Sequence, residues 1–272
     1  METIGIQMTY CNLETEQTKY FREEFSFEEI KKWFDDLMEE YGKWATFQCE
    51  MKNQRQASIK ELDFPFEYRP GQKKLVSDVY RTIMRQKLLF MQAPTGVGKT
   101  ISTIFPAVKA VGEELADRIF YLTAKTITAT VAKETFALLE KNGYRAKTIQ
   151  ITAKEKLCPC DEMECNPVTC PYAKGHFDRV NDAVFDLLHR CEMIERADIL
   201  SQADRYTVCP FELCLDTASW CDNVICDYNY VFDPNVYLKR FFQEGIKGDY
   251  IFLIDEAHNM VERSRQMYSA QI

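Results

Sequence analysis

A loop of small residues, directly before Lys99 and Thr100, has the clearest chemical potential in the sequence. Residues 93–100 read Ala-Pro-Thr-Gly-Val-Gly-Lys-Thr, between an apolar run and a helical pattern. Successive backbone N–H groups at a helix N-terminus favour anions, and glycines let the backbone approach them closely. The pattern predicts a phosphate-binding loop, although Ala93 replaces the first glycine of the general motif. Its predicted nucleotide contacts are Ala93, Pro94, Thr95, Gly96, Val97, Gly98, Lys99 and Thr100.

Two carboxylates follow an apolar run near the end of the sequence. Asp255 and Glu256 come directly after Ile251–Ile254, and His258 follows two residues later. A buried strand that ends in carboxylates brings them to the carboxyl edge of a parallel sheet, where ligands of open α/β folds bind. A solvated strand end is the plainer interpretation, and the upstream phosphate loop argues against it.

Together, the loop and the carboxylates predict ATP hydrolysis with Mg²⁺. We expect Lys99 to contact the β- and γ-phosphates, and Thr100 and Asp255 to bind Mg²⁺. Glu256 is expected to orient and deprotonate the attacking water. His258 is expected to link the nucleotide site to the rest of the protein.

The cysteines form a second group with chemical potential. Nine of the eleven lie between positions 158 and 226, and the odd total, without a secretory signal, favours ligation over disulfides. Structural zinc favours C-x₂-C pairs, which are lacking here, whereas wider spacings suit an iron–sulfur cluster. Thiols that only pack are the third possibility. The candidate ligands are Cys158, Cys160, Cys165, Cys170 and Cys209, and the remaining six are expected to pack.

Alternating strands and helices must position these groups. Strands are predicted at 88–91, 119–122, 148–151, 224–226 and 250–254, and helices at 69–85, after the phosphate loop, and at 131–141 and 178–190. This alternation predicts an α/β fold with a parallel sheet covered on both faces. The alternation stops at Cys158, so residues 158–215 are predicted to be an insertion.

The first 64 residues are different in character. A strand is predicted at 4–10, and Ser26 with Glu29 forms a capping box before a helix. The helix has an apolar face that we expect to be directed at a core; its residues are Phe27, Ile30, Phe34, Leu37, Tyr41 and Trp44. We predict a boundary near residue 65, which separates a segment 1–64 from a domain 65–272.

Composition limits the class of protein. The 272 residues are 46% apolar and 28% charged, which excludes a disordered or collagen-like chain. Of the net charge of −8, residues 1–67 contribute −7, so the larger segment is nearly neutral and a local basic channel for nucleic acid is possible. No apolar run could span a membrane, and no secretory signal is visible. We therefore expect a cytoplasmic protein.

These residues, in this order, resemble the XPD/DinG iron–sulfur DNA helicases of superfamily 2 over about residues 65–272. The phosphate loop and the acidic box at 255–258 are similar to helicase motifs I and II. Other similar segments are the adenine-reading Q motif (69–72), motif Ia (121–126), the lead-ins to cluster cysteines (154–158, 170–172 and 209–211) and the segment before motif II (226–234).

The resemblance implies a RecA-like first helicase lobe with an inserted helical iron–sulfur domain. The implied [4Fe–4S] ligands are Cys158, Cys165, Cys170 and Cys209, and Cys160 could replace Cys165. The implied nucleotide cofactor is Mg²⁺-ATP, with Arg69 and Gln72 near the adenine.

The implied activity is ATP-driven 5′-to-3′ translocation on single-stranded or junction DNA, by a monomer. Lys125, Thr126 and Lys154 are expected at DNA phosphates, and Tyr172 is expected to stack on a base. The resemblance implies a second lobe whose motifs have no room in this sequence, so we expect a fragment or truncated product that alone binds ATP weakly and hydrolyses it poorly. A zinc-stabilised nucleic-acid-binding module with a non-motor phosphate loop is the alternative.

The N-terminal segment 1–64 resembles the tail of a RecB-like nuclease domain. Glu50, Met51 and Lys52 have the letters of a nuclease motif, but the sequence offers them no partner Asp on a strand. We therefore expect no nuclease activity.

Overall fold

The computed structural model describes residues 3–94, 96–124 and 126–269, without the side chain of Thr126. It divides into two compact units, Met1–Asn53 and Gln54–Ile272. The limits 1–64, 65–272 and 158–215 stay predictions.

The first unit begins with an antiparallel hairpin of β1 (Thr3–Cys11) and β2 (Thr18–Ser26). In the connecting loop, the Asn12 side chain accepts hydrogen bonds from the N–H groups of Glu14 and Thr15, at 2.9 and 3.1 Å. The predicted first strand is confirmed. Its partner is not predicted from sequence, because charged residues interrupt the apolar pattern of β2.

The capping box forms as predicted at the start of α1 (Phe27–Glu61). The Ser26 N–H donates to the Glu29 carboxylate at 2.8 Å, and the Glu29 N–H donates to the Ser26 hydroxyl at 3.2 Å. The expected burial of the apolar face is wrong, since Phe27 and Tyr41 are 66% and 64% exposed. Periodicity identifies which face of a helix is apolar, and it does not supply the element that would cover that face.

The second unit contains a parallel five-stranded sheet in the order β5-β4-β6-β3-β7. The strands are β3 (Arg118–Leu122), β4 (Thr148–Gln150), β5 (Met193–Ile194), β6 (Asn223–Cys226) and β7 (Tyr250–Ile254). The predicted α/β class is therefore confirmed. Strand β5 lies inside the range predicted as an insertion, and it forms one edge of the sheet.

Ten helices of the described residues follow α1. They are α2 (Gln72–Met84), α3 (Lys99–Gly112), α4 (Thr126–Lys141), α5 (Lys154–Leu157), α6 (His176–Arg190), α7 (Arg196–Tyr206), α8 (Pro210–Ala218), α9 (Asn229–Phe232), α10 (Lys239–Phe242) and α11 (Met260–Tyr268). A short 3₁₀ turn, Ala257–Asn259, precedes α11. The core joins α3, α4 and the sheet, with Ile104, Phe136 and Ile119 fully buried. Within the described ranges, no helix is long and apolar enough to cross a membrane.

Two strand predictions need correction. The run Leu88–Met91 is not a strand, and Leu88 and Phe90 are each 88% exposed. A short apolar run forms a strand only where a neighbour supplies hydrogen bonds, and no described strand pairs with it. The predicted burial of the strand before the acidic box is also wrong, since β7 is the other edge strand of the sheet and Phe252 and Ile254 are partly exposed.

Candidate functional site

The predicted phosphate loop leads directly into the N-terminus of α3, which begins at Lys99. Gly96 and Gly98 have φ angles of 84° and 73°, in the left-handed region that favours glycine. A Cβ atom on Gly98 would also lie 2.8 Å from Nε2 of Gln72. The loop therefore needs glycine at position 98 for its backbone conformation and for its packing. Thr95, a predicted contact, lies outside the described residues.

Arg69 and Gln72, the predicted adenine contacts, hold the phosphate loop from the side. The Gln72 side chain is buried, and its amide donates to the Val97 carbonyl at 3.2 Å and to the Ser102 hydroxyl at 3.1 Å. Its carbonyl accepts the Arg69 N–H at 3.0 Å, and the Arg69 guanidinium donates to the Gly96 carbonyl. Gln72 is thus a structural clamp on the loop in this structure.

Tyr121, near the end of β3, connects the phosphate loop with the acidic box. Its hydroxyl lies beside the side chains of Asp255 and Thr100, close enough for both to change its pKa. Burial, reinforced by the Asp255 carboxylate, raises the pKa of Tyr121, so the phenol stays protonated. The two predicted Mg²⁺ ligands therefore lie near the same buried hydroxyl.

The acidic box turns sharply at the end of β7. The Asp255 N–H donates to the Leu122 carbonyl of β3 at 3.0 Å, which places Asp255 at the carboxyl edge of the sheet. Glu256 has a left-handed backbone, with φ 50° and ψ 44°. Its carboxylate lies 3.4 Å from Nδ1 of His258, which is largely exposed. The buried Tyr228 hydroxyl donates to the Asp255 carbonyl.

The five candidate cysteines lie in one neighbourhood. The sulfurs of Cys160 and Cys170 are 4.0 Å apart. The Cys158 thiol donates to the backbone carbonyl of Cys160 at 3.9 Å. Burial raises the pKa of Cys160, and the neighbouring thiols of Cys170 and Cys158 act in the same direction. Cys165 lies close enough to Cys209 to raise the pKa of its thiol, after the larger effect of burial. Across the described part of the chain, no three Cys, His, Asp or Glu side chains converge as metal ligands.

Two polar side chains organise this neighbourhood. The Cys165 thiol beside the Lys154 ammonium raises the pKa of Lys154, and the thiols of Cys209 and Cys158 act in the same direction. The buried His176 ring accepts the Cys209 N–H at Nδ1, at 3.2 Å. Lys154 thus faces thiols here.

A family model described as DEAD_2 matches residues 131–272. The chain belongs to the DEAD_2 family. The match covers the acidic box and all five candidate cysteines, and the phosphate loop lies upstream of it.

Curated relatives of this DEAD_2 chain are helicases. The regulator of telomere elongation helicase 1 homolog of Caenorhabditis elegans is 20% identical over 256 residues, which are 78% of this chain and 25% of the relative. The XPD/RAD3 helicase subunit of general transcription and DNA repair factor IIH from Saccharomyces cerevisiae is 22% identical over 232 residues, 72% of this chain and 29% of the relative. The family resemblance is thus confirmed.

Solved structures give a weaker similarity. An XPD helicase structure matches with a TM-score of 0.49 at 18% identity, over 72% of this chain and 34% of that one. The chain spans between a quarter and a third of the curated relatives named above. The nuclease-like tail stays a prediction.

Sequence reasoning missed three residues of this DEAD_2 site: Tyr121, His176 and Tyr228. Tyr121 lies in an apolar strand pattern and in the segment similar to motif Ia, and Tyr228 lies in the segment similar to the one before motif II; the resemblance gives neither tyrosine a role in the nucleotide site. No sequence signal indicates that a hydroxyl at either position reaches the acidic box. The predicted DNA contact Lys125 lies outside the described residues, and the side chain of Thr126 is not described.

Proposed function

We propose that this DEAD_2 chain is the ATP-binding motor lobe of a DNA helicase that hydrolyses ATP to move along single-stranded DNA. The observation that carries the proposal is the position of the Tyr121 hydroxyl against both Thr100 and Asp255. One metal ion with a ligand from each motif is what phosphoryl transfer requires. Because the chain spans 25% and 29% of two helicase relatives, unwinding and the 5′-to-3′ direction are proposed for the whole protein.

Each residue of the site has a proposed role. Backbone N–H groups of the loop and the N-terminus of α3 bind the phosphates, and Lys99 neutralises the β- and γ-phosphates. Thr100 and Asp255 hold Mg²⁺, and Glu256 takes a proton from the attacking water. His258 lies beside Glu256 and links the box to elements outside this lobe.

ATP turnover tests this proposal most simply under single-turnover conditions, with protein in excess over ATP. Such conditions detect the slow hydrolysis that we expect from one isolated lobe. Lys99→Ala should weaken ATP binding at least about tenfold, since it removes a phosphate contact. Glu256→Gln should preserve binding and slow hydrolysis by about a hundredfold or more. The matched control is Lys87→Ala, at an exposed lysine before the loop; equal ATP binding by Lys99→Ala and Lys87→Ala would contradict the proposal.

We further propose a [4Fe–4S] cluster on Cys158, Cys165, Cys170 and Cys209. The donor set supports it, since thiolates are the protein ligands of such clusters, and Lys154 would offset part of their negative charge. When bound, the cluster would supply a rigid cross-link between segments that are distant in sequence. A fifth thiol, Cys160, competes with Cys165 for the same position.

Anaerobic purification followed by iron, sulfide and zinc analysis tests the cluster. We expect about four iron and four sulfide per chain. Cys170→Ser should lose them, whereas Cys226→Ser, which removes a buried thiol of β6, should not. Retention of iron by Cys160→Ser together with loss by Cys165→Ser would support the proposed ligand set. The reverse pattern would replace Cys165 by Cys160.

One observation favours the alternative, a zinc-stabilised nucleic-acid-binding module. The sulfurs of Cys160 and Cys170 are 4.0 Å apart. Two thiolates on one tetrahedral zinc lie about 3.8 Å apart, given Zn–S bonds of about 2.3 Å. Stoichiometric zinc without iron would support this alternative and would contradict the cluster.

DNA binding is proposed through Lys125, Thr126, Lys154 and the partly exposed Tyr172. Phosphate contacts make affinity fall with salt, and aromatic stacking tolerates any base. Because the Lys154 ammonium lies beside the Cys165 thiol, we expect Lys154→Ala to reduce metal content more than DNA affinity. Tyr172→Ala should weaken binding of oligo-dT with little change in the salt slope. Affinity that is independent of salt would contradict the DNA proposal.

A further inference from the structure

Tyr228 is fully buried beside the acidic box. It belongs to the segment that follows β6, and its hydroxyl donates to the backbone carbonyl of Asp255. The same hydroxyl lies 3.4 Å from the carbonyl of Glu256. One hydroxyl therefore contacts the backbone carbonyls of both acidic residues.

The backbone that Tyr228 contacts is in an unusual conformation. Glu256 has a φ of 50°, which residues other than glycine rarely adopt. Local hydrogen bonds reinforce the turn: the Glu256 N–H donates to the Asp255 side chain at 3.0 Å, and the Asn259 N–H donates to the Glu256 carbonyl at 2.9 Å. A left-handed residue persists only where its surroundings fix it, and here the surroundings include the Tyr228 hydroxyl.

The segment around Tyr228 is itself anchored. The Asp227 carboxylate pairs with Arg263 of α11 at 3.4 Å. At the other end of the segment, the Phe232 carbonyl accepts the Tyr268 hydroxyl at 3.0 Å. The segment that carries Tyr228 is thus attached at both ends to the helix that follows the acidic box, and these contacts fix the position of Tyr228.

We infer that Tyr228 is a positioning residue: its hydroxyl holds the Asp255–Glu256 turn in the conformation that aims both carboxylates at the nucleotide. Tyr121 contacts the Asp255 side chain, whereas Tyr228 fixes the backbone that carries both side chains. The predicted effect of Tyr228 on the rate of hydrolysis rests on the proposed ATP hydrolysis. Its predicted effect on the conformation of the turn does not depend on that proposal.

The test compares Tyr228→Phe with Tyr144→Phe, in the full 272-residue chain. Both tyrosines are buried, and the Tyr144 hydroxyl accepts a hydrogen bond from Asn223 at 3.2 Å. Asn223 is the first residue of β6, whereas Tyr228 follows the last. The control therefore loses a similar hydrogen bond at the amino-terminal end of the strands, away from the acidic box.

Hydrogen exchange measures the turn directly. In Tyr228→Phe, peptides that cover 255–259 should exchange about fivefold faster or more, since the turn loses a buried hydrogen bond. In Tyr144→Phe these peptides should be unchanged. Equal exchange of 255–259 in Tyr228→Phe and in the parent chain would overturn the inference. If Tyr228→Phe does not fold, 3-fluorotyrosine at position 228, a stronger donor, should slow this exchange, and no slowing would overturn the inference.

Single-turnover hydrolysis then tests the catalytic consequence. Tyr228→Phe should lower the rate about tenfold or more, with ATP affinity within about twofold of the parent, because misplaced groups slow the chemical step. A rate equal to that of the parent, or an equal loss in Tyr144→Phe, would overturn the catalytic part. If the parent is no faster than Lys99→Ala, the proposed function fails, and hydrogen exchange still decides the role of Tyr228 in the turn.

Discussion

Truncation of Gln72 to alanine tests whether this residue holds the phosphate loop in place. The variant removes hydrogen bonds to the Val97 carbonyl, the Ser102 hydroxyl and the Arg69 N–H. Ser102 keeps its own bond to the Gly98 carbonyl at 2.8 Å, so two groups lose a partner. Each buried polar group left unsatisfied costs about 1–3 kcal/mol, and since both groups retain some solvent access we expect a loss of about 2–3 kcal/mol.

Urea unfolding with Trp220 fluorescence measures this loss in the second unit. Trp33 and Trp44, the other two tryptophans, are replaced by phenylalanine in every variant so that only Trp220 reports. For a unit of this size, thermal unfolding of the same variant should show a fall in Tm of about 5–10 °C. Gln92→Ala, at an exposed glutamine before the loop, is the control and should change stability by less than about 0.5 kcal/mol.

If Gln72→Ala leaves the free energy of unfolding unchanged, the claim that Gln72 holds the phosphate loop in place is refuted. If ATP affinity then fell while stability stayed constant, a direct contact of Gln72 with the adenine would be supported instead. Loss of stability together with a modest loss of ATP affinity is the result that the structure predicts.

Two further substitutions test the loop and the core by the same unfolding measurement. Gly98→Ala should lower stability by about 1–2 kcal/mol, because a left-handed alanine is strained and its Cβ meets Gln72. Gly143→Ala, in the same unit, also has a positive φ, but its added Cβ would meet no atom within 4 Å; it should therefore lose less stability, and equal losses would contradict the predicted clash with Gln72. Asp222→Asn should cost about 2–3 kcal/mol, because it leaves the largely buried charge of Arg55 without its partner. The double variant with Arg55→Met should recover part of that loss, and no recovery would contradict the buried-pair explanation.

Much of the fold could be predicted because local patterns determine it. The capping box at Ser26 and Glu29 forms as written in the sequence. The strands around 119–122 and 250–254 could be predicted because each is a continuous apolar run followed by polar residues. Strand β5, of two residues, is too short to leave a periodic signal, and the sheet extends to it through β4.

The errors arise where structure depends on a partner. Leu88–Met91 has the composition of a strand, but no described strand pairs with it. The aromatic face of α1 has the period of a buried helix, yet exposure depends on what covers it. Tyr228 shows the same limit in the functional site, since its contact joins positions that are 27 residues apart in sequence. Spacing alone also leaves the choice between Cys160 and Cys165 open.

The central claim is that the phosphate loop and the acidic box form one Mg²⁺-ATP site around Tyr121. Titration of a fluorescent ATP analogue, with Mg²⁺ and with EDTA, tests this most directly in the parent chain and in Asp255→Asn. We predict that removal of Mg²⁺ weakens binding about tenfold in the parent and leaves Asp255→Asn nearly unchanged, since that variant lacks a metal ligand. Equal affinity with and without Mg²⁺ in the parent chain would contradict the account.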